Sequence, residues 1–237
     1  MTAVEPSRFF AALATVPDNV GGAGRICQAC LRVLAFERAA IAVNVESTGW
    51  EVLCASDSVA ERIEGLQATV GEGPGIEAAI SGIPVFVDDF ALIYRRWPLL
   101  GAALDLSDRG AMCALPLQVG AAQVGVLDLY HHEPGLERAD WAAAFSVARM
   151  VTVILLGDGH ADGNGADVAL GSWWDPQPRA QEIHQASGMI AAQLSISVRQ
   201  AYGRLQARAF ADDRTLADIA HDVVTRQLRF DPAAEES

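Results

Sequence analysis

The chain has 237 residues and no lysine; all 17 of its basic residues are arginine. It also lacks positive charge overall, since 30 acidic residues leave a formal net charge of −13. A protein that coats nucleic acid through its phosphates needs the opposite balance, so a general nucleic-acid binder is excluded. No apolar run approaches the roughly 18 to 20 residues that span a bilayer. Met1–Phe10 carries Glu5 and Arg8 and lacks the basic-then-apolar pattern of an export signal. The expectation is a cytoplasmic protein with no membrane contact.

Cysteine is scarce. Of the four, Cys27 and Cys30 form a CxxC within Arg25–Leu34, a helical stretch in which i and i+3 share a face. They read as small buried residues. A metal or redox pair would need a second CxxC or a histidine cluster. Disulfides are not expected in a cytosolic chain. A redox-sensing role for Cys27, Cys54 or Cys113 is a weaker reading.

About half of the sequence is apolar (51%), enough for a substantial core. Its charge is unevenly spread: residues 1–171 hold 10 Arg and 21 acids, net −11. Residues 172–230 hold 7 Arg and 6 acids, net +1, and the tail 231–237 adds −3. Any polyanion contact therefore belongs near the C-terminus. Between the first two parts, Gly157–Gly171 (GDGHADGNGADVALG) loses helical period and apolar continuity, which predicts a linker. The predicted domains are 1–156 and 172–230.

Within 1–156, helical spacing covers Arg8–Thr15 and Gly24–Leu34, and Ala39–Val45 and Trp50–Ala55 read as paired strands. A Gly/Pro loop at 71–75 precedes a helix near 76–81 and a strand at Val85–Val87. Ala111–Val119 and Gln123–Tyr130 carry a strong hairpin signal, with Pro116 marking an edge or a bulge, and a helix from Glu137 to Leu156 closes the unit. Adjacent strands without βαβ alternation predict an α+β fold with a helix-flanked antiparallel sheet.

Residues 175–230 predict an all-α unit of three short helices. The first (177–194) faces inward with Ile183, Ala186, Ile190 and Leu194. Ser197-x-x-Gln200 is a capping-box pattern for the second, whose inner face is Val198, Ala201, Tyr202, Leu205 and Ala209. Thr215 caps the third, with Leu216, Ile219, Ala220, Val223 and Leu228 inward and His221, Arg226 and Arg229 along it. Such short helices need mutual packing. Arg204 and Arg208 stand one turn apart on the second helix, with Arg199 near its start and Arg214 in the following turn. On spacing alone they are either a solvated face paired with Asp212, Asp213, Asp218 and Asp222, or guanidinium forks for phosphate and unpaired bases.

No catalytic constellation emerges, and an enzyme is not expected. His131 and His132 are adjacent at a strand end and read as loop or surface histidines, since neighbouring strand residues face opposite ways and cannot easily share a metal. Gly71-Glu72-Gly73-Pro74-Gly75 lacks the Lys-Ser/Thr that completes a phosphate loop. Asp128 projects to the sheet face opposite Leu127 and Leu129.

The segments GEGPGIEAAISGIPVFVDD, Arg96-Trp97-Pro98 and ALPLQVGAAQVGVLDLY resemble the GAF domains that precede ANTAR domains in actinobacterial regulators. The resemblance covers about residues 20–156 and implies a sensor with a small-molecule pocket of unknown ligand and no assigned cofactor. Candidate pocket residues are Cys54, Phe86, Trp97, Cys113, Asp128 and Tyr130. IHQASGMIAAQLSISVRQAYGRLQARAFADDRTLADIAHDVV is similar to ANTAR domains through Ile183, Ala186, Gly188, Ile190, Ala201, Tyr202, Leu205, Ala209, Leu216, Asp218, Ile219 and Ala220. That resemblance implies a homodimer that binds paired hairpin loops of nascent RNA and prevents transcription termination. The candidate RNA contacts are Arg199, Arg204, Arg208, Arg214, His221 and Arg226. Ser187 and Gln206 stand where many members of the family carry Lys and Arg, positions expected near RNA. The alternative is a non-catalytic dimerisation or protein-interaction module that has lost RNA binding.

Overall fold

The computed structural model describes residues 3–17, 20–45, 49–104, 110–120, 122–135, 138–157 and 178–231. The predicted linker after Gly157 and all but the first residue of the acidic tail lie outside the described residues.

The strands are β1 (Arg38–Val45), β2 (Gly49–Ala55), β3 (Val85–Val87), β4 (Ala111–Val119) and β5 (Ala122–His131). They form one antiparallel sheet in the order β2-β1-β5-β4-β3. Pro116 lies inside β4, opposite Val126, but β3 pairs only as far as Ala114. The missing proline N–H therefore falls on a locally open edge, where no ladder bond is lost. The bulge follows at once, between Leu117 and Gln118.

Strand alternation sends apolar side chains to both faces. On one face Ile41, Val43, Leu53, Leu115, Leu127 and Leu129 pack under α1 (Pro6–Ala14), α2 (Gly22–Val33) and α7 (Arg138–Gly157). On the other, Ala40, Ala42, Met112, Ala114 and Val126 pack under α3 (Ser58–Val70), α4 (Pro74–Ser81), α5 (Ile93–Arg96) and α6 (Pro98–Ala103). The sequence reading leaves α3 unassigned, although Asp57 caps it by accepting from the amides of Val59 and Ala60. Residues 71–75 are no phosphate cradle: Glu72 turns away to cap α6, accepting from Leu99 and Leu100 N–H at 2.5 and 3.2 Å.

The first face also corrects the expectation that the chain holds no disulfide. Cys27 on α2 and Cys54 on β2 are bonded across the apolar layer. Cys30 and Cys113 remain free thiols, both buried. Burial pushes the Cys30 thiol up to about 12 and Cys113 higher still, so neither forms the reactive thiolate near neutrality.

The C-terminal helices are α8 (Pro178–Leu194), α9 (Val198–Ala211) and α10 (Leu216–Val224). Their core is Ala186, Ile190, Ala201, Leu205, Ala209, Leu216, Ile219, Ala220 and Val223. Both predicted caps form: Ser197 Oγ accepts from Gln200 N–H and Thr215 Oγ1 from Asp218 N–H. The third helix is shorter than expected. It ends at Val224, and Arg226 follows with φ +63°, so Arg226 and Arg229 project from the turn and tail beyond α10 while Leu228 folds back onto the core.

Candidate functional site

The sheet separates the six candidate pocket residues. Cys54 and Cys113 face α2 and α7, with Phe86 packed against that side and stacked on Trp141 at 4.2 Å. Trp97 and Tyr130 lie in the opposite layer, and buried Asp128 meets Gln67 of α3 there. The six cannot line one cavity, and Cys54 is engaged in the disulfide.

What fills the second layer is polar. The Tyr130 hydroxyl donates to Glu64 Oε1; Gln67 Nε2 donates to Glu64 Oε1 at 3.2 Å and lies 3.5 Å from Asp128 Oδ2. Gln67 Oε1 accepts from Gly75 N–H at 2.9 Å. Residue 75 must be glycine, because a Cβ there would sit 2.2 Å from Asp128 Oδ2. Burial first, and then the nearness of the other carboxyl, raises Asp128 well above the usual range; Glu64 is raised by burial. The cluster is neutral internal packing. Outside it, Trp97 Nε1 donates to Glu77 Oε2 at 3.1 Å, and Arg96, which pairs with Glu77, covers the Trp97 ring at 4.7 Å.

Open space lies elsewhere, where the helical module meets the sheet domain. A half-open cleft of about 620 Å³ is lined by Trp50, Glu51, Arg62 and Ala68 on one side and by Ile183, His184 and Leu216 on the other. A second, of about 440 Å³, lies between Ile76, Ile80 and Gly125 and the module's Tyr202 and Gln206. None of the six candidate pocket residues lines either cleft.

Four polar contacts hold this seam. The Tyr202 hydroxyl donates to Trp50 O at 3.2 Å, and His184 Nε2 lies 2.6 Å from Glu51 Oε1. Gln206 Nε2 donates to Ala68 O at 2.7 Å, satisfying a carbonyl in the last turn of α3 that has no partner within its own helix. The Leu216 N–H, one of the unpaired donors at the start of α10, is accepted by Thr69 Oγ1 at 3.0 Å. Gly49, with φ +82°, leaves room for the Tyr202 ring, which a Cβ would meet at 2.9 Å.

Ser187 and Gln206 are therefore not on a free surface. Ser187 is fully buried, and Gln206 caps a helix of the other domain. Arg199, Arg204, Arg208, Arg214, His221 and Arg226 are all exposed. Arg204 and Arg208 each stand two residues from Gln206, about 200° around α9, so they point away from the seam. Arg208 pairs with Asp212 at 2.7 Å, Arg214 donates to Asp222 at 2.6 Å, and His221 lies 3.2 Å from Glu182. Both sequence readings of this surface survive in part: it is solvated and partly paired, yet it presents guanidinium groups to solvent.

Sequence reasoning missed the seam because its carriers are a buried acid, backbone carbonyls and a glycine. Only Gln206 gave a signal, as a departure from the family pattern.

The fold has likenesses among solved structures. It matches the GAF domain of an Acinetobacter phosphoenolpyruvate-protein phosphotransferase (10% identity, TM-score 0.47, 68% of this chain and 95% of that one). It also matches a domain of a protein described as a two-component sensor histidine kinase from Sinorhizobium meliloti 1021 (17%, 0.41, 58% and 89%). A third match is the chromophore-binding domain of a bacteriophytochrome from R. palustris (11%, 0.38, 62% and 58%). No curated protein matches the chain. Residues 179–224 match the ANTAR domain, and residues 23–155 match the GAF domain. The chain belongs to the GAF domain family and carries an ANTAR domain behind its sensor fold.

Proposed function

We propose that this protein is a signal-responsive transcription antitermination regulator. The GAF domain senses a small-molecule or protein signal, and the ANTAR module, as a homodimer, binds paired hairpin loops in nascent RNA. Two copies presenting two modest sites to one transcript gain effective concentration, which makes dimerisation part of affinity.

The observation that carries this reading is the two-sidedness of α9. Tyr202 and Gln206 fasten one side to β2 and α3 of the sensor, while Arg204 and Arg208 are presented to solvent on the other. A change in the sensor is felt directly at the module through β2 and the end of α3. The clefts along the seam are where a signal would alter the contact.

A titration of the full chain with double-hairpin leader RNA at low and moderate salt tests the proposal. Retention at low salt that weakens as salt rises is the expected result; no retention at low salt ends the RNA reading. A second reading, a protein-interaction module without RNA binding, is favoured by the use of Ser187 and Gln206 for internal packing. In that case Arg204→Ala with Arg208→Ala leaves partner binding intact.

A further inference from the structure

The end of β5 departs from simple strand alternation. His131 is the last residue of β5, and His132 lies beyond it, released from the pleat that would point it the other way. The two imidazoles stack with centroids 5.2 Å apart and planes at 22°. Both reach the carboxylate of Glu37, just before β1, whose own N–H donates to Tyr130 O. His132 Nδ1 is 2.8 Å and His131 Nε2 3.6 Å from Glu37 Oε1. The argument that these histidines cannot share a ligand fails where the strand stops.

We propose that Glu37, His131 and His132 form a binding site for a divalent transition-metal ion of the zinc class. Donor atoms held at Zn–N and Zn–O distances in a tetrahedron stand roughly 3.3 to 3.5 Å apart. The two carboxylate-to-imidazole separations bracket that value, so small side-chain rotations place an ion between all three. The site is also oriented. Glu37 Oε2 accepts from His132 N–H at 3.1 Å, leaving Oε1 for the ion. His131 Nδ1 lies 3.0 Å from Glu133 O, and donation to that carbonyl leaves the Nε2 lone pair facing inward. Glu37 and His131 are part-exposed and His132 is the most exposed (58%), so an ion can enter and complete its shell with water. Two imidazoles with one carboxylate suit Zn²⁺, Ni²⁺ or Cu²⁺, whereas Mg²⁺ and Ca²⁺ prefer oxygen donors alone.

The test uses the untagged full chain, stripped with chelator and titrated calorimetrically with ZnCl₂, NiCl₂ and MgCl₂. One equivalent of Zn²⁺ or Ni²⁺ binds and Mg²⁺ does not. Glu37→Gln, His131→Gln and His132→Gln each weaken the binding roughly tenfold or more. Independently of any variant, Zn²⁺ protects His131 and His132 from diethylpyrocarbonate, read peptide by peptide by mass spectrometry. Absence of stoichiometric binding, affinity unchanged in all three variants, or protection of other histidines instead would overturn the assignment.

Discussion

The hydroxyl of Tyr202 lies 3.2 Å from the carbonyl oxygen of Trp50 and donates to it across 152 residues of chain. Tyr202 belongs to the inner face of the module, so one side chain serves both the helical core and the contact with the sensor.

That double use separates two substitutions. Tyr202→Phe keeps the ring and removes the bond, and should loosen the seam by about 1 kcal/mol. Combined with Gln206→Ala, it should accelerate amide hydrogen exchange of Leu216 and of the last turn of α3 while leaving the interior of α9 protected. Unchanged exchange at Leu216 would show that the seam does not depend on these contacts.

The exposed arginines make a prediction that salt can read. Arg204→Ala or Arg208→Ala should weaken RNA binding at every salt concentration. Each lost phosphate contact to a single-stranded loop should lower the slope of log K against log salt by about 0.7. Asp212→Ala, which frees Arg208 from its 2.7 Å partner, should strengthen binding. Parallel titrations of the three variants check both signs.

The buried carboxyls set a pH dependence. Asp128 and Glu64 hold their protons more tightly when folded than at their ordinary values of 3.8 and 4.5. Their contribution to stability is complete below those ordinary values and is lost as pH rises through the raised ones. Melting temperature should therefore fall between about pH 5 and pH 8, and Asp128→Asn should flatten the fall and melt higher than wild type at the alkaline end. A steeper fall in the variant would refute the neutral cluster.

Cysteine chemistry is countable. Neither buried thiol should react in the native protein; two should react after unfolding without reductant, and all four after reduction. Closing the 27-residue separation stabilises the chain by about 3 to 4 kcal/mol on the loop-entropy estimate. Cys27→Ala with Cys54→Ala should lose about that much in denaturant unfolding.

The sequence made legible whatever obeyed a period or a cap. Ser197 and Thr215 announced α9 and α10, and the β4–β5 hairpin stood out because both strands are apolar. Helix α3 did not, because its inward face mixes Ala60 and Ile63 with Glu64 and Gln67, and polar residues turned into a core erase the amphipathic signal. The pocket grouping failed at a single bulge. Counting back from Val119↔Ala122 and Gln118↔Gln123 puts Cys113 opposite Asp128, on one face. The register shift between Leu117 and Gln118 moves Cys113 opposite Leu129 instead and sends the two to different sides of the sheet.

Thr69 draws the two halves of the molecule into one hydrogen-bond relay. Its hydroxyl donates to Gly65 O within α3 at 2.7 Å and accepts the Leu216 N–H that opens α10. Valine at that position would match it in shape and strand a buried amide, so the module cannot be grafted onto another sensor unless the recipient supplies an acceptor at the same place. Sensor and output are matched parts, and a chimera that ignores this hydroxyl should fold as two bodies that no longer communicate.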